Sequence, residues 1–427
     1  MKILWTLFIT FPEVANKIHR KAEYACTWAR ALADKLRYRD DINLAIVSIA
    51  EENSIKKFTV NNVEFYFLPH GKSVMRTGGG KAVQQAWREI LEDFKPDLIH
   101  IHGSESLVPY ELIKMKPSVP LFLTLQGILS NYYKDDYAGI EMSDIIKTTS
   151  LRDIVRRSGI IMDRKKEIKK SVLEREMLRG VSYIGGRTTW DRVTSLSINE
   201  NACYLYAPEL IRPEFYAAKR WRLKGVKRHR IFMHQGFKPI KGLHIMLDAM
   251  AVLRKKYPDI ELYMSGTNAM KNSNAKEKLL QSGYVKYLYK KINTLGLHDC
   301  IHFTGVLNAE QIVTELYKSH VMVLPSAIEN SPNSLCEAQL VGIPCVASHV
   351  GGVPEMLEHG KEGFVYTFNE PLMLAEYIGR IFESDEMAED FSIYAYDKIR
   401  KRQGEHTVVE KTVENYQWII DDFKSKA

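Results

Sequence analysis

Along the first third of the chain, short apolar runs alternate with longer stretches in which apolar positions recur every three to four residues. Residues 3–9 read as a buried strand, followed by a helix near 17–36 and strands at 44–49 and 63–68. A helix over 80–94 and strands at 97–102 and 121–125 continue the series. The alternation restarts after Arg230, with strands at 231–234, 260–265, 301–304, 321–324 and 345–348. Between them the pattern predicts helices over 242–257, over 309–318 and from about Ser334. Strands alternating with helices predict an α/β fold of two mostly parallel, doubly wound sheets.

The punctuation divides the chain into a first α/β domain over 1–212 and a basic, solvated connector over 213–230. A second α/β domain over 231–406 and a C-terminal helix over 407–427 complete the division. Val408, Val409, Val413, Tyr416, Ile419 and Ile420 recur at helical spacing, so this last helix needs a surface to pack on and is expected to return to the first domain. The cleft between two open α/β sheets is the expected ligand site, because strand carboxyl ends face it.

Composition narrows the class. The 427 residues call for two domains of about 200 residues each. At 45% hydrophobic and 26% charged, a disordered or collagen-like chain is excluded. Sixty Lys and Arg against 52 Asp and Glu suit a protein that handles phosphates or touches an anionic membrane, and do not call for nucleic acid. The apolar opening run, 3–11, is far shorter than the roughly 20 residues of a membrane span. Lys2 is its only preceding charge and Pro12 interrupts it, so a first strand is preferred over a signal peptide. Five scattered cysteines without a C-x-x-C pair suggest neither a disulfide framework nor zinc, which fits a cytoplasmic protein.

The candidate chemistry lies at 321–355. A buried strand runs into a loop ending at Glu329, then Asn330-Ser331-Pro332-Asn333-Ser334 supplies turn and cap residues before a helix, with Asn333 or Ser334 as N-cap. Such a helix start offers free N–H groups and a positive dipole end to a phosphate. Glu329 outside the helix and Glu337 inside it would reach different hydroxyl-bearing parts of one ligand. The bland account makes Glu337 a helix-terminus charge worth at most about 1 kcal/mol and Glu329 a loop charge. Gly342-Ile-Pro-Cys-Val-Ala then leads to Gly351-Gly352-Val-Pro-Glu355, where a diglycine lets backbone approach a ligand.

The spacing Glu329-x7-Glu337-Ala, the Gly342 strand and the Gly351-Gly352 loop together resemble the core of family 4 retaining glycosyltransferases. The resemblance covers roughly 231–366, with Lys241-Gly242 and His302-Phe-Thr-Gly305 as flanking agreement. It implies a GT-B fold, two Rossmann-like domains facing across a cleft, with donor mainly on the second and acceptor mainly on the first. It further implies retaining transfer from a UDP- or GDP-sugar to a glycan or lipid-linked acceptor, as in cell-surface polysaccharide biosynthesis, without cofactor or metal. No Asp-x-Asp, the cation motif of the other main glycosyltransferase fold, occurs in the chain. Carried over, Glu329 would bond the donor sugar and Glu337 the ribose. Backbone N–H groups around Ser334 and Leu335 would meet the distal phosphate, Asn330, Ser331 and Asn333 would line the donor, and Lys241 would neutralise the leaving diphosphate.

The first domain departs from that pattern. Phe8-Ile-Thr-Phe-Pro-Glu-Val stands where the family has a glycine-rich loop, leaving N–H groups near Glu13 to Asn16 as substitutes. Gln126 stands where the family often has a histidine near the reacting carbon; it can position a hydroxyl but not act as a titrating base. Front-face retaining transfer, in which the leaving phosphate takes the acceptor's proton, tolerates that change. His102, near the carboxyl end of its strand, is a candidate acceptor contact or a structural residue. The usual arginine before Lys241 is replaced by Gly236, so Lys238 or Arg187 would supply its charge; Arg187 paired with Asp191 is the structural alternative. Residues 163–179 form a basic helix with Ile168, Val172, Leu173 and Met177 in one stripe, read as a docked surface helix or as peripheral contact with anionic lipid at the inner face of the cell membrane. The rival functions are a sugar-nucleotide epimerase or hydrolase and a non-catalytic nucleotide-sugar-binding protein. An NAD enzyme is disfavoured, because no Gly-x-Gly-x-x-Gly follows a strand.

Overall fold

The structure, a computed structural model, describes residues 1–19, 27–266, 268, 270 and 280–426. It forms two compact units. One comprises Met1–Ser130, Ile168–Arg212 and Gln403–Ala427; the other comprises Asn131–Glu167 and Pro213–Arg402.

The N-terminal unit is built on eight strands: β1 (Lys2–Thr6), β2 (Asn43–Ile49), β3 (Lys56–Val60), β4 (Val63–Leu68), β5 (Leu98–His102), β6 (Leu121–Thr124), β7 (Tyr183–Gly186) and β8 (Cys203–Tyr206). Their order is β3-β4-β2-β1-β5-β6-β7-β8, parallel except for the β3–β4 pair. That hairpin turns at Asn61-Asn62, both left-handed at φ 50° and 62°, the conformation a two-residue turn needs to match strand twist. Central strands β1, β5 and β6 are buried along nearly their whole length because both faces are covered. Trp5, Tyr66, Phe67, Trp87 and Phe122 are among the largest fully buried side chains of this core.

The C-terminal helix Glu405–Lys426 belongs to this unit, as its apolar spacing predicts. Val408, Tyr416 and Ile419 are fully buried. The Tyr416 hydroxyl anchors it, accepting from Trp5 Nε1 at 3.0 Å and lying 2.7 Å from His100 Nδ1. The predicted helix over 17–36 is a helix from Thr27 to Leu36; Asn16–Ile18 make a short 3-10 turn, and 20–26 lie outside the described residues.

The second unit carries β9 (Arg230–His234), β10 (Glu261–Ser265), β11 (Ile301–Gly305), β12 (Val321–Leu324), β13 (Cys345–Ser348) and β14 (Gly363–Tyr366). All pairs are parallel in the order β11-β10-β9-β12-β13-β14. Counted within the unit this is 3-2-1-4-5-6, the dinucleotide-binding order, and its topological switch point lies between β9 and β12.

Two organisational expectations are corrected here. Residues 213–230 are not a solvated connector: Phe215 and Trp221 are fully buried. Trp221 donates from its backbone to Val341 O at 2.7 Å and from Nε1 to Ser319 O at 3.0 Å. The basic residues lie around these anchors, with Arg220 bonded to Glu389 and Ser392. Residues 131–167, read as part of the first domain, pack in the second unit: His244 Nε2 meets Ala138 O at 2.8 Å and Gly283 N donates to Asp153 Oδ2 at 2.6 Å.

Candidate functional site

The two loops at the carboxyl ends of β9 and β12 converge. Ala327 N donates to Ile240 O at 2.8 Å, joining them through backbone. Their approach is close enough that a side chain at Gly242, held at φ 71°, would place Cβ 1.7 Å from Pro325 O. Ser348 at the end of β13 donates to Ser326 O at 2.5 Å, fixing the β12 loop from its other side.

On this scaffold Lys241 Nζ meets Glu329 Oε1 at 2.5 Å, and Ser326 Oγ donates to the same oxygen at 2.7 Å. Glu329 is almost sealed, with 9% of its side chain exposed, whereas Lys241 keeps 32%. Gly352 N donates to Glu329 O at 3.1 Å. Gly351 sits at φ 51° with a hypothetical Cβ 1.8 Å from that carbonyl, so the diglycine packs directly against the acidic loop. Tyr132 OH accepts from Asn330 N at 2.8 Å, which brings the 131–167 segment to the same loop.

The helix Asn333–Val341 begins without a side-chain cap, and its N-cap is Pro332 rather than Asn333 or Ser334. Proline pre-sets an extended entry but offers no capping oxygen, so the positive end of the helix is not neutralised by a side-chain cap at its own N-cap residue. Leu335 N is taken by Pro332 O at 3.0 Å, which removes it as a free phosphate donor. Glu337 is buried to 7% exposure within this helix, and Asn330 and Ser331 are buried in the loop. Gly236 has no space for a side chain, its Cβ falling 2.5 Å from Met264 Sδ, which explains why an arginine does not occupy it. Lys238 is exposed on the same loop.

In the N-terminal unit a second polar group forms at the carboxyl ends of β5, β6 and β7. Gln126 Nε2 donates to Glu209 Oε1 and Arg187 pairs with Glu209 Oε2 at 2.6 Å, the pair sealed at 5% and 7% side-chain exposure. Arg187 also reaches Leu125 O at 3.3 Å. Asp191 accepts from the Arg187 backbone N–H and from Tyr204 OH and closes a capping box with Thr188, while the Arg187 guanidinium pairs with Glu209.

Glu105 accepts from Gly127 N at 2.5 Å in the same region. Burial pushes its carboxyl up to about 7; hydrogen bonds from its own N–H and that of Gly127 oppose the shift, and Glu174 and Glu209 add to it. Sequence reasoning missed both Glu105 and Glu209, which carry no motif; Gly103, whose Cβ would strike Glu105 Oε2 at 2.6 Å, is the nearest signal.

The acceptor-side candidates scatter. His102 is buried against Trp5, Trp28 and His100, and desolvation pushes it down to about 3, so it is neutral at physiological pH. Glu13 pairs with Arg30 at 3.0 Å, and Asn16 is exposed in the 3-10 turn. In the basic helix Ile160–Arg179 the predicted apolar stripe forms only in part: Met177 is buried and Leu173 packs partly buried against the same core, with Ser171, Glu174 and Leu178 also buried, while Ile168 and Val172 are exposed. Glu174 sets that face, accepting from Ser104 Oγ at 2.7 Å and from Ser130 N and Oγ at 2.6 Å each.

Residues 218–398 match the family described as Glycosyl transferases group 1. A D-inositol 3-phosphate glycosyltransferase of Corynebacterium urealyticum is 26% identical over 178 residues, 42% of this chain and 40% of that protein, so the match spans less than half of the relative's own length. A sucrose-phosphate synthase from Thermosynechococcus elongatus superposes with a TM-score of 0.70 at 13% identity, covering 99% of both chains. HepE from Anabaena, solved in complex with UDP-glucose, superposes at 0.65 and 18% identity, covering 98% of this chain and 99% of that one. The fold is GT-B, two Rossmann-like domains with a long C-terminal helix, and the chain is related to group 1 glycosyltransferases through its second unit.

Proposed function

We propose that the chain is a retaining glycosyltransferase that moves a sugar from a UDP- or GDP-sugar to a hydroxyl of a glycan or lipid-linked acceptor in cell-surface polysaccharide synthesis. The observation that carries this reading is the pairing of Lys241 with Glu329 at the switch point, beside the start of a helix whose N-cap is Pro332 and the buried Glu337. In this reading a donor diphosphate takes Lys241 from Glu329, and the released carboxylate accepts from the sugar hydroxyls. Glu337 accepts from the ribose, and Asn330, Ser331, Asn333 and Ser334 surround the phosphates. The UDP-glucose complex of the similar HepE fold supports a nucleotide-sugar donor of this kind.

Gln126, held by Glu209, serves as a positioning residue on the acceptor side, with Glu105 as the adjacent proton-holding carboxyl. Arg187 is occupied by Glu209 and acts by fixing Gln126 rather than by meeting the donor phosphates.

The test is a transfer assay with a panel of UDP- and GDP-sugars and lipid-linked or free glycans, the product's anomeric configuration read by NMR. A retained configuration and a loss of on the order of 100- to 1,000-fold in turnover for Lys241→Ala are expected. Donor turnover without acceptor would move the reading to an epimerase or hydrolase. Donor binding without any product would leave a binding protein.

A further inference from the structure

The segment 142–157 displays aliphatic side chains that the fold does not use. Two short helices, Met142–Thr148 and Leu151–Val155, are fixed to the second unit by inward groups. Ile145 is buried, and Asp153 accepts from Gly283 N at 2.6 Å while closing a capping box with Ser150. Their outward groups are Ile146, Leu151, Ile154 and Val155, exposed at 61%, 67%, 63% and 82%. Scattered apolar side chains are ordinary on a protein surface, but four large ones within ten residues of an anchored segment make a patch.

Cations predominate around the patch. Between residues 142 and 157 the acids are Asp144 and the buried Asp153, against the cations Lys147, Arg152, Arg156 and Arg157. Arg152 reaches Asp153 at 3.3 Å, whereas Lys147, Arg156 and Arg157 form no ion pair among the described residues. Behind Ile154 lies a cavity of about 180 Å³ whose walls include Ile145, Ile160, Ile161, Met162 and Tyr284. No helix among the described residues is long and apolar enough to cross a membrane, so this is a surface feature rather than a span.

We propose that this patch docks the second unit onto an anionic phospholipid bilayer. Ile146, Leu151, Ile154 and Val155 enter the boundary between headgroups and acyl chains, and Lys147, Arg156 and Arg157 meet the lipid phosphates. A bilayer fits better than a protein partner because the patch consists of exposed aliphatic side chains without Trp or Tyr and is flanked by an excess of cations, with Asp144 the one acid of the segment besides the buried Asp153. It relocates the membrane contact from the lysines of the helix Ile160–Arg179 to the segment before it. The inference stands apart from the transfer chemistry, since vesicle binding is read without donor or acceptor.

The experiment is co-sedimentation of the full chain with vesicles of phosphatidylcholine alone or mixed with phosphatidylglycerol. Wild type is expected to bind the mixed vesicles and not the neutral ones. Leu151→Ser/Ile154→Ser/Val155→Ser, all exposed and expected to leave the melting temperature unchanged, should weaken that binding on the order of 100-fold. Lys147→Gln/Arg156→Gln/Arg157→Gln should weaken it on the order of 10- to 100-fold and remove the dependence on phosphatidylglycerol. The proposal is overturned if wild type binds neither vesicle, binds both equally, or binds as well as the serine variant. A wild-type dimer that the serine variant dissolves, without vesicle binding, would assign the patch to a second copy and equally overturn it.

Discussion

Each unit gathers polar groups beyond the carboxyl ends of its strands, yet the two gatherings differ in how much solvent they keep. Lys241 retains a third of its exposure beside Glu329, so an incoming anion can compete for it. Arg187 and Glu209 are both almost fully enclosed, so their charges are spent on each other and on Gln126. The accessible pair has the form of a binding site, and the sealed pair that of a structural brace which orients a polar side chain. Residue type alone would not separate them, since each is a cation with a glutamate.

Breaking the brace should have the largest effect on stability. Arg187→Ala leaves Glu209 buried without its cation and is expected to cost about 3–5 kcal/mol in urea unfolding, and Arg187→Ala/Glu209→Gln should recover much of that. If the single and double variants unfold alike, the pair is not a brace.

Glu105 gives the next effect. Its folded pKa of about 7 lies above the ordinary 4.5, so over that interval the folded chain holds a proton that the unfolded chain releases. The associated stability is complete below about pH 4.5 and falls as pH rises toward 7, by up to about 3 kcal/mol. Glu105→Gln should flatten that part of the profile; an unchanged slope would place the proton elsewhere.

Smaller still is Tyr416→Phe, which removes the shared partner of Trp5 and His100. It should cost about 1–3 kcal/mol and leave donor binding intact, because it acts on the C-terminal helix and not on the switch point. A loss of donor affinity in this variant would show that the two regions are not as separate as the comparison holds.

Much of the second unit was legible along the chain, because buried parallel strands are written as unbroken apolar runs bounded by glycine and proline. The helix 309–318 and the strands 321–324 and 345–348 fall where periodicity placed them. β3 was missed because Lys56-Lys57 and its half-exposed edge position hide an alternating pattern. The basic run 213–230 misled because eight charges mask two buried aromatics, Phe215 and Trp221. The return of 131–167 to the second unit rests on long-range contacts such as Asp153 with Gly283, for which local pattern has no signature. In the loop after β12, the start of the following helix was legible to within a residue, but its cap was not, since Pro332 ends the loop one residue earlier than the polar pair suggested. Glu105 and Glu209 stayed hidden for the same reason as Asp153: their chemistry arises only where separate loops converge.

The account rests most directly on donor binding by the second unit. Thermal unfolding in the presence of UDP- and GDP-sugars measures it, since a ligand at about 100 times its Kd stabilises the folded state by about 2.7 kcal/mol. At least one of these donors should raise the melting temperature of wild type, and Glu337→Gln should reduce the rise without lowering the melting temperature of the free chain to the same extent. If no nucleotide sugar shifts the wild-type transition, the switch-point loops are not a donor site and the central reading is wrong.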